Sequence, residues 1–154
     1  MLRQASGIVC ALPGRELNLG GGLGIRYLPE DAPPAIETVV RSVAEAFTTA
    51  LEAQDLPHPE LFLEPGRSIV GDAGVTLYTI GAVKPIPGVR TYASVDGGMF
   101  ENPRPALYGA RYTAVLAERA TDPADGPVTI AGRCCESGDV LIWEADLPRV
   151  RPDD

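Results

Sequence analysis

The spacing of the apolar residues changes near residue 72 of this 154-residue chain. Between residues 33 and 54 the apolar side chains recur at helical spacing, with proline in the first turn, where its missing N–H costs nothing. They are Ile36, Val39, Val40, Val43, Phe47, Ala50 and Leu51. After residue 72 the period is two, which is typical of half-buried strands, here 75–83, 89–95, 111–118, 128–131 and 140–143. The patterns predict an α/β part over residues 1–72, followed by an antiparallel β part over residues 73–154.

Two loops in the α/β part follow predicted strands. The strand candidate at 16–20 runs into the glycine-dense turn Gly20-Gly21-Gly22, and a second strand at 61–63 ends in Glu64-Pro65-Gly66-Arg67. In an α/β fold, ligands bind at the carboxyl ends of strands. The glycine run alone fits a tight turn equally well, because its spacing is not the dinucleotide pattern. Both loops together predict one phosphorylated ligand with a protonated ring or amine near its other end.

Two loops in the β part also contain reactive groups. One places Arg104 and Tyr108 four residues apart among prolines, and the other places Cys135 beside Glu136 between two strands. Taken by themselves, these residues also fit a stiff hairpin connection with a solvent-facing arginine and an inert, packed cysteine. His58 lies between two prolines and receives no role.

The charge and the cysteines exclude several classes of protein. There are 21 acidic and 13 basic residues, a net charge of −8, which argues against nucleic-acid binding. No apolar stretch is long enough to cross a membrane, and the N-terminus lacks the apolar run of a signal peptide. Cys10, Cys134 and Cys135 form neither a disulfide framework nor a metal-ligand pattern. We expect a cytoplasmic protein without a metal, which binds a small molecule.

Five motifs occur in a fixed order: LNLGGGLGI, EPGR, VDGGM, NPRPALYGA and CCESGD. Together they resemble the carboxyl-terminal portion of the diaminopimelate decarboxylase family, pyridoxal-phosphate enzymes of the alanine-racemase-like barrel class. The first two motifs are shared with ornithine and arginine decarboxylases, and the last two resemble the diaminopimelate branch more narrowly. The resemblance implies the last strands and helix of a (β/α)8 barrel followed by an antiparallel β-barrel or sandwich domain. A whole barrel needs ~250 residues, so we expect truncation at both ends.

The resemblance also implies residue roles. One group is expected to bind pyridoxal 5′-phosphate: Gly20, Gly21, Gly22, Glu64, Pro65, Gly66 and Arg67. Within it, Glu64 would face the pyridine nitrogen and keep the ring protonated. A second group is expected to bind substrate: Arg67, Arg104, Tyr108 and Glu136. Cys135 would be the proton donor, and Cys135 and Glu136 are expected to serve the neighbouring subunit of a homodimer.

The implied reaction is decarboxylation of meso-2,6-diaminopimelate to L-lysine and CO2, the last step of lysine biosynthesis. Family members hold the cofactor covalently on a lysine of an early barrel strand. The only lysine here, Lys84, matches a structural stretch of the β part instead. We therefore expect the chain alone to be inactive, and to fold poorly because its barrel strands would expose unpaired edges.

Two alternatives stay open. The first is a related decarboxylase acting on ornithine, arginine, D-ornithine or D-lysine, which a comparison of substrates would separate. The second is a catalytically inactive homologue that binds a partner. Against it, the chain retains polar groups that a binding protein has no chemical need to keep: Glu64, Arg67, Arg104, Tyr108, Cys135 and Glu136. An upstream reading frame encoding a lysine-bearing barrel strand would support the enzyme.

Overall fold

The computed structural model describes residues 15–154, so Cys10 and the N-terminal segment considered above lie outside the described part. The chain divides into two compact units, the first ending at Gly74 and the second running from Val75 to Asp154. The assignment of these units as two domains stays a proposal. Within residues 15–154, no helix is long and apolar enough to cross a membrane. The same residues contain no cluster of three or more side chains suited to holding a metal ion.

The first unit is a β–α–β arrangement. Strands β1 (Glu16–Asn18) and β2 (Glu60–Phe62) pair in parallel, and helix α1 (Ile36–Glu52) lies between them in sequence. The predicted apolar face of α1 is largely confirmed, since most of its residues are at least half-buried and Leu51 is fully buried. Val40 is the exception, because it is exposed. A short helix, α2 (Arg67–Val70), follows β2 and continues into a 3-10 turn at Gly71–Ala73.

The second unit contains one four-stranded sheet. Its strands are β3 (Ile80–Ile86), β4 (Arg90–Val95), β5 (Gly126–Ala131) and β6 (Val140–Leu147), and they lie side by side in this order. β3 pairs with β4, and β5 with β6, as antiparallel neighbours. The core consists of apolar side chains from the sheet and its flanking loops: Ile80, Ala93, Val95, Leu116, Val128, Leu141, Ala145, Leu147 and Val150.

The prediction of a purely antiparallel sheet is wrong, because β4 and β5 run parallel, with Tyr92 opposite Thr129. Parallel neighbours need a long crossover connection, whereas a tight hairpin forces the antiparallel direction. The connection here spans residues 96–125 and contains helix α3 (Arg104–Tyr108) and a 3-10 turn (Ala117–Arg119). That length lets the chain return to the end of the sheet where β4 began.

Two of the predicted strand segments are also wrong, because residues 111–118 form no strand and the strand predicted from residue 75 begins later. Residues 111–116 alternate in exposure and end at the buried Leu116, but they form no ladder with the described strands. β3 begins at Ile80, and Val75 and Leu77 before it are exposed. A period of two reports which side chains face the core, whereas a strand also needs a neighbouring backbone with which to pair.

Candidate functional site

The glycine run and the Glu64 loop begin side by side in the first unit. They follow β1 and β2, and the hydrogen bonding of that parallel pair continues into both loops. The Leu19 N–H donates to the Phe62 carbonyl at 3.0 Å, and the Glu64 N–H donates to the Gly20 carbonyl at 2.7 Å. Both loops therefore lie at the carboxyl ends of neighbouring parallel strands, where α/β folds bind ligands.

The backbone conformation and packing of the turn explain its glycines. Gly20 and Gly22 have φ angles of 70° and 85°, in the left-handed region that side chains with a Cβ rarely adopt. At Gly21 a Cβ would overlap the carbonyl oxygen of Glu64. Two of the three glycines thus shape the turn, and the third allows the two loops to touch.

Asn18, a residue without a predicted role, links the two loops through its side chain. Its Nδ2 donates to Oε1 of Glu64 at 2.6 Å, and its Oδ1 accepts the N–H of Gly20 at 2.7 Å. An amide is suited to this position because it carries a donor and an acceptor together. The available signal was a polar residue at the last position of a strand, directly before the glycine run.

Gly66 and Arg67 complete this group. α2 begins at Arg67, and the space beside the Cα of Gly66 is open. A Cβ on Gly71 would lie 2.5 Å from Cδ1 of Ile25, so the segment that follows the glycine run packs against the end of α2. The first unit therefore brings together every residue predicted to bind the cofactor: Gly20, Gly21, Gly22, Glu64, Pro65, Gly66 and Arg67.

Arg104 and Tyr108 lie together in the second unit. The predicted proline-stiffened loop is instead the short helix α3, which ends at Gly109 with a left-handed φ of 60°. Residues four apart on a helix are neighbours, and the Arg104 guanidinium carbon lies 5.7 Å from the centre of the Tyr108 ring. Nε of Arg104 also donates to the Tyr112 hydroxyl at 3.1 Å. Tyr112, another residue without a predicted role, thus helps to hold the guanidinium.

Cys135 and Glu136 are exposed in the loop before β6. Oε1 of Glu136 accepts the Gly138 N–H and the Ser137 hydroxyl, both at 3.1 Å. These bonds, with the Gly138 N–H the stronger influence, lower the pKa of Glu136. The carboxylate is therefore ionised at neutral pH and can attract a cationic group.

A second residue without a predicted role, Asp139, lies beneath this loop and is only 3% exposed. Its Oδ2 accepts the Cys134 N–H at 2.7 Å, and its Oδ1 accepts the Met99 N–H at 2.6 Å. The carboxylate therefore connects the CCESGD loop with the turn at Gly97 and Gly98. The signal in the sequence was weak, since an aspartate in a Ser-Gly-Asp turn is usually read as a solvent-exposed turn residue.

Lys84 and His58 have unremarkable positions. Lys84 lies in β3 opposite Tyr92, in agreement with its reading as a structural residue. His58 is exposed between α1 and β2. Neither lies in the two loop pairs described above.

Comparison with known proteins gives one family. Residues 9–154 match the family model described as pyridoxal-dependent decarboxylase, C-terminal sheet domain. The chain is 53% identical over 140 residues to a diaminopimelate decarboxylase of Bacillus methanolicus, covering 91% of this chain and 32% of that protein. It is 48% identical over 148 residues to a diaminopimelate decarboxylase of Synechocystis sp., covering 96% and 32%. The chain thus spans about a third of the length of these curated relatives.

The solved structures agree. The crystal structure of a diaminopimelate decarboxylase from M. jannaschii in complex with L-lysine matches with a TM-score of 0.77 and 28% identity. The match covers 99% of this chain and 34% of that one. These findings confirm the resemblance that was drawn from the five motifs.

Proposed function

The chain belongs to the family of pyridoxal-dependent decarboxylases, and on this premise we propose that the protein containing it converts meso-2,6-diaminopimelate to L-lysine and CO2. One observation carries the proposal. The glycine run and the Glu64 loop, two motifs of different chemistry, touch at the carboxyl ends of parallel strands, with 2.7 Å between the Glu64 nitrogen and the Gly20 oxygen. The identity with curated diaminopimelate decarboxylases supports this substrate, as does the L-lysine bound to the M. jannaschii enzyme.

The residues of the first unit fit pyridoxal phosphate. Backbone N–H groups of a glycine-rich turn and of a helix start are donors that suit a phosphate, and apart from the adjoining residues no atom lies within 4 Å of the Cβ position at Gly22 or Gly66. Because the Gly20 N–H already donates to Asn18, we assign the phosphate to the backbone N–H groups of Gly21, Gly22, Gly66 and Arg67, which leaves the Arg67 guanidinium for the substrate. Gly20 then contributes by shaping the turn.

Glu64 is assigned to the pyridine nitrogen. When bound, the cofactor accepts the electron pair released as the bond between the substrate and CO2 breaks. Glu64 would hold the proton on the ring nitrogen that makes this possible. Asn18 donates to Oε1 of Glu64 at 2.6 Å and so fixes the orientation of that carboxylate.

The remaining assignments concern the substrate. Arg104, held by Tyr112 and stacked on Tyr108, suits a carboxylate at the distal end of the substrate, where Arg67 would assist. The ionised Glu136 suits the distal ammonium group. Cys135 would donate the proton that replaces the lost carboxylate, in the active site of the second subunit of a homodimer.

The proposal places further parts outside this chain. The preceding strands of a (β/α)8 barrel would come from the rest of the protein, with β1, α1 and β2 as its last part. A lysine for covalent attachment of the cofactor would lie there too, since Lys84 is part of the sheet. The unpaired thiols of Cys134 and Cys135 fit a reducing cytoplasm.

The substrate is tested with the full-length protein, purified with pyridoxal phosphate. Release of CO2 and formation of amino-acid product would be followed with meso-2,6-diaminopimelate, L-ornithine and L-arginine. We expect L-lysine as the dominant product. A preference for ornithine or arginine would reject the substrate assignment, and an inability to bind the cofactor or to decarboxylate any of the three would favour the inactive homologue.

The adjacent cysteines provide a matched pair for the proton donor. Cys135→Ser should lower kcat by about a hundredfold or more, because loss of a positioned proton donor typically costs that much. Cys134→Ser keeps the backbone N–H that donates to Asp139, so it should retain kcat. Equal effects of the two substitutions would contradict the assignment of Cys135.

A further inference from the structure

We infer that Asp139 is a positioning residue for Cys135, because its buried carboxylate ties the Cys134–Cys135 segment to the turn at Gly97 and Gly98. The inference rests on the proposed function only where it names Cys135 as the proton donor. The contacts that carry it lie entirely within the second unit.

The two carboxylate oxygens of Asp139 have different partners. Oδ2 accepts the Cys134 N–H at 2.7 Å, one peptide bond before Cys135, and Oδ1 accepts the Met99 N–H at 2.6 Å, forty residues away in sequence. The side chain therefore fixes the distance between the backbone at Cys134 and the Gly97–Gly98 turn.

The glycines around Asp139 show how closely this carboxylate is enclosed. A Cβ on Gly98 would lie 2.7 Å from Oδ2, and a Cβ on Gly132 would overlap the carboxylate. The backbone of Asp139 closes the same loop, since its carbonyl accepts the Gly132 N–H at 2.8 Å and its N–H donates to the Glu136 carbonyl at 3.0 Å. No longer side chain fits this space, and only a carboxylate offers an acceptor to both N–H groups.

Among the described residues, a further hydrogen bond and a ring contact between the two segments start at Arg133. The Arg133 N–H donates to the Gly97 carbonyl at 3.1 Å, and the Arg133 guanidinium lies 5.1 Å from the centre of the Phe100 ring. These contacts end at residue 133. The position of Cys134 and Cys135 therefore depends on the side chain of Asp139.

Asp139 also distinguishes the two thiols. Partial burial, followed by the hydrogen bond to Asp139, raises the pKa of the Cys134 thiol. Cys135 is exposed, whereas Cys134 is half-buried. Burial and the Asp139 carboxylate thus favour the protonated thiol at Cys134, and Cys135 is the more accessible of the two thiols.

The test uses Asp139→Asn in the full-length protein, since asparagine has the same shape but offers one acceptor oxygen instead of two. The matched control is Asp146→Asn, which makes the same change at an exposed position of β6. Three quantities are measured. They are hydrogen exchange at the Met99, Cys134 and Gly132 amides, the ratio of Cys134 to Cys135 alkylation by iodoacetamide, and kcat and KM with diaminopimelate.

We expect Asp139→Asn to speed exchange at Met99 or Cys134 by about tenfold or more, while Gly132, bonded to the backbone of Asp139, keeps its protection. The alkylation ratio should rise severalfold in favour of Cys134. kcat should fall between about ten- and a hundredfold with KM little changed, because a small misplacement of a reacting group has that effect. Asp146→Asn should change none of these quantities.

Unchanged exchange and labelling in Asp139→Asn would overturn the inference. A normal kcat despite faster exchange, in an enzyme whose wild type is active, would overturn the positioning role. If the wild type did not act on diaminopimelate, the proposed function would fail, and exchange and labelling would still decide whether Asp139 fixes the cysteine segment.

Discussion

The two units hold their loop pairs together by different means. In the first unit, the glycine run and the Glu64 loop continue a parallel ladder through backbone bonds, and the exposed Asn18 adds two side-chain bonds. In the second unit, the Gly97–Gly98 turn and the cysteine segment meet across the buried carboxylate of Asp139. Loss of Asn18 would leave the backbone bonds in place, whereas loss of the Asp139 carboxylate would leave the partly buried N–H groups of Met99 and Cys134 without this acceptor. The loop pair of the first unit therefore tolerates the loss of its side-chain bonds, whereas that of the second unit is left with the backbone bond from the Arg133 N–H to the Gly97 carbonyl.

The largest expected effect lies in the second junction, the place where the cysteine segment meets the Gly97–Gly98 turn. In Gly132→Ala the new Cβ would overlap the Asp139 carboxylate, which can move aside only by giving up its hydrogen bonds from Met99 and Cys134. We expect a loss of about 3 kcal/mol in the free energy of unfolding, the upper end for overpacking a tight site. Urea denaturation of the full-length protein measures it. Gly138→Ala in the same loop is the control, since its Cβ would lie 3.8 Å from Oε1 of Glu136, at ordinary contact distance. Equal destabilisation by both would mean that the carboxylate is not enclosed.

The second-largest effect is expected in the first junction, the place where the glycine run meets the Glu64 loop. In Gly21→Ala the Cβ would overlap the Glu64 carbonyl, so the two loops must separate. We expect a loss of about 2 kcal/mol in stability together with weaker binding of pyridoxal phosphate, followed by its absorbance in a titration. Gly24→Ala is the control, because its Cβ would lie 3.8 Å from Cβ of Pro33. Cofactor affinity that falls no further in Gly21→Ala than in Gly24→Ala would contradict the close contact of the loops.

These two junctions also explain what the sequence could predict. Glycines mark places where backbone approaches backbone, so Gly20–Gly22 and the Glu64 loop could be identified and paired from their motifs alone. Asp139 and Asn18 act through side chains whose partners lie forty or more residues away, at Met99 and Glu64. No local pattern reports such a contact, and the direction of β5 depended in the same way on a long connection rather than on its own residues.

A smaller effect is expected from Asn18→Ala. The backbone bond from Glu64 to Gly20 remains, so the stability loss should stay at about 1 kcal/mol or below, as for an exposed hydrogen bond. The affinity for pyridoxal phosphate should fall more than stability does, because Glu64 loses its orienting partner. Asn18→Asp separates the two roles, since it keeps an acceptor for Gly20 and places a second negative charge against Glu64. If Asn18→Asp bound the cofactor with the affinity of the wild type, the contact between Asn18 and Glu64 would have no role in cofactor binding.

The smallest effect at neutral pH concerns Tyr78, which packs against Gly97 at the edge of the second junction. Burial, and then the neighbouring Glu101 carboxylate, raise the pKa of Tyr78 from 10.0 to about 12. The folded state therefore binds the phenol proton more tightly than the unfolded state does. The stability that Tyr78 contributes in this way is fully present below pH 10, the pKa of the unfolded state, and is lost as the pH rises towards 12. Unfolding midpoints and phenolate absorbance would be measured between pH 10 and 12. Stability should decline with pH in the wild type and less steeply in Tyr78→Phe. Glu101→Gln removes the charge but leaves the burial, so it should reduce the slope only in part. An unchanged slope in Tyr78→Phe would show that another group titrates in this pH range and would contradict the role of Tyr78.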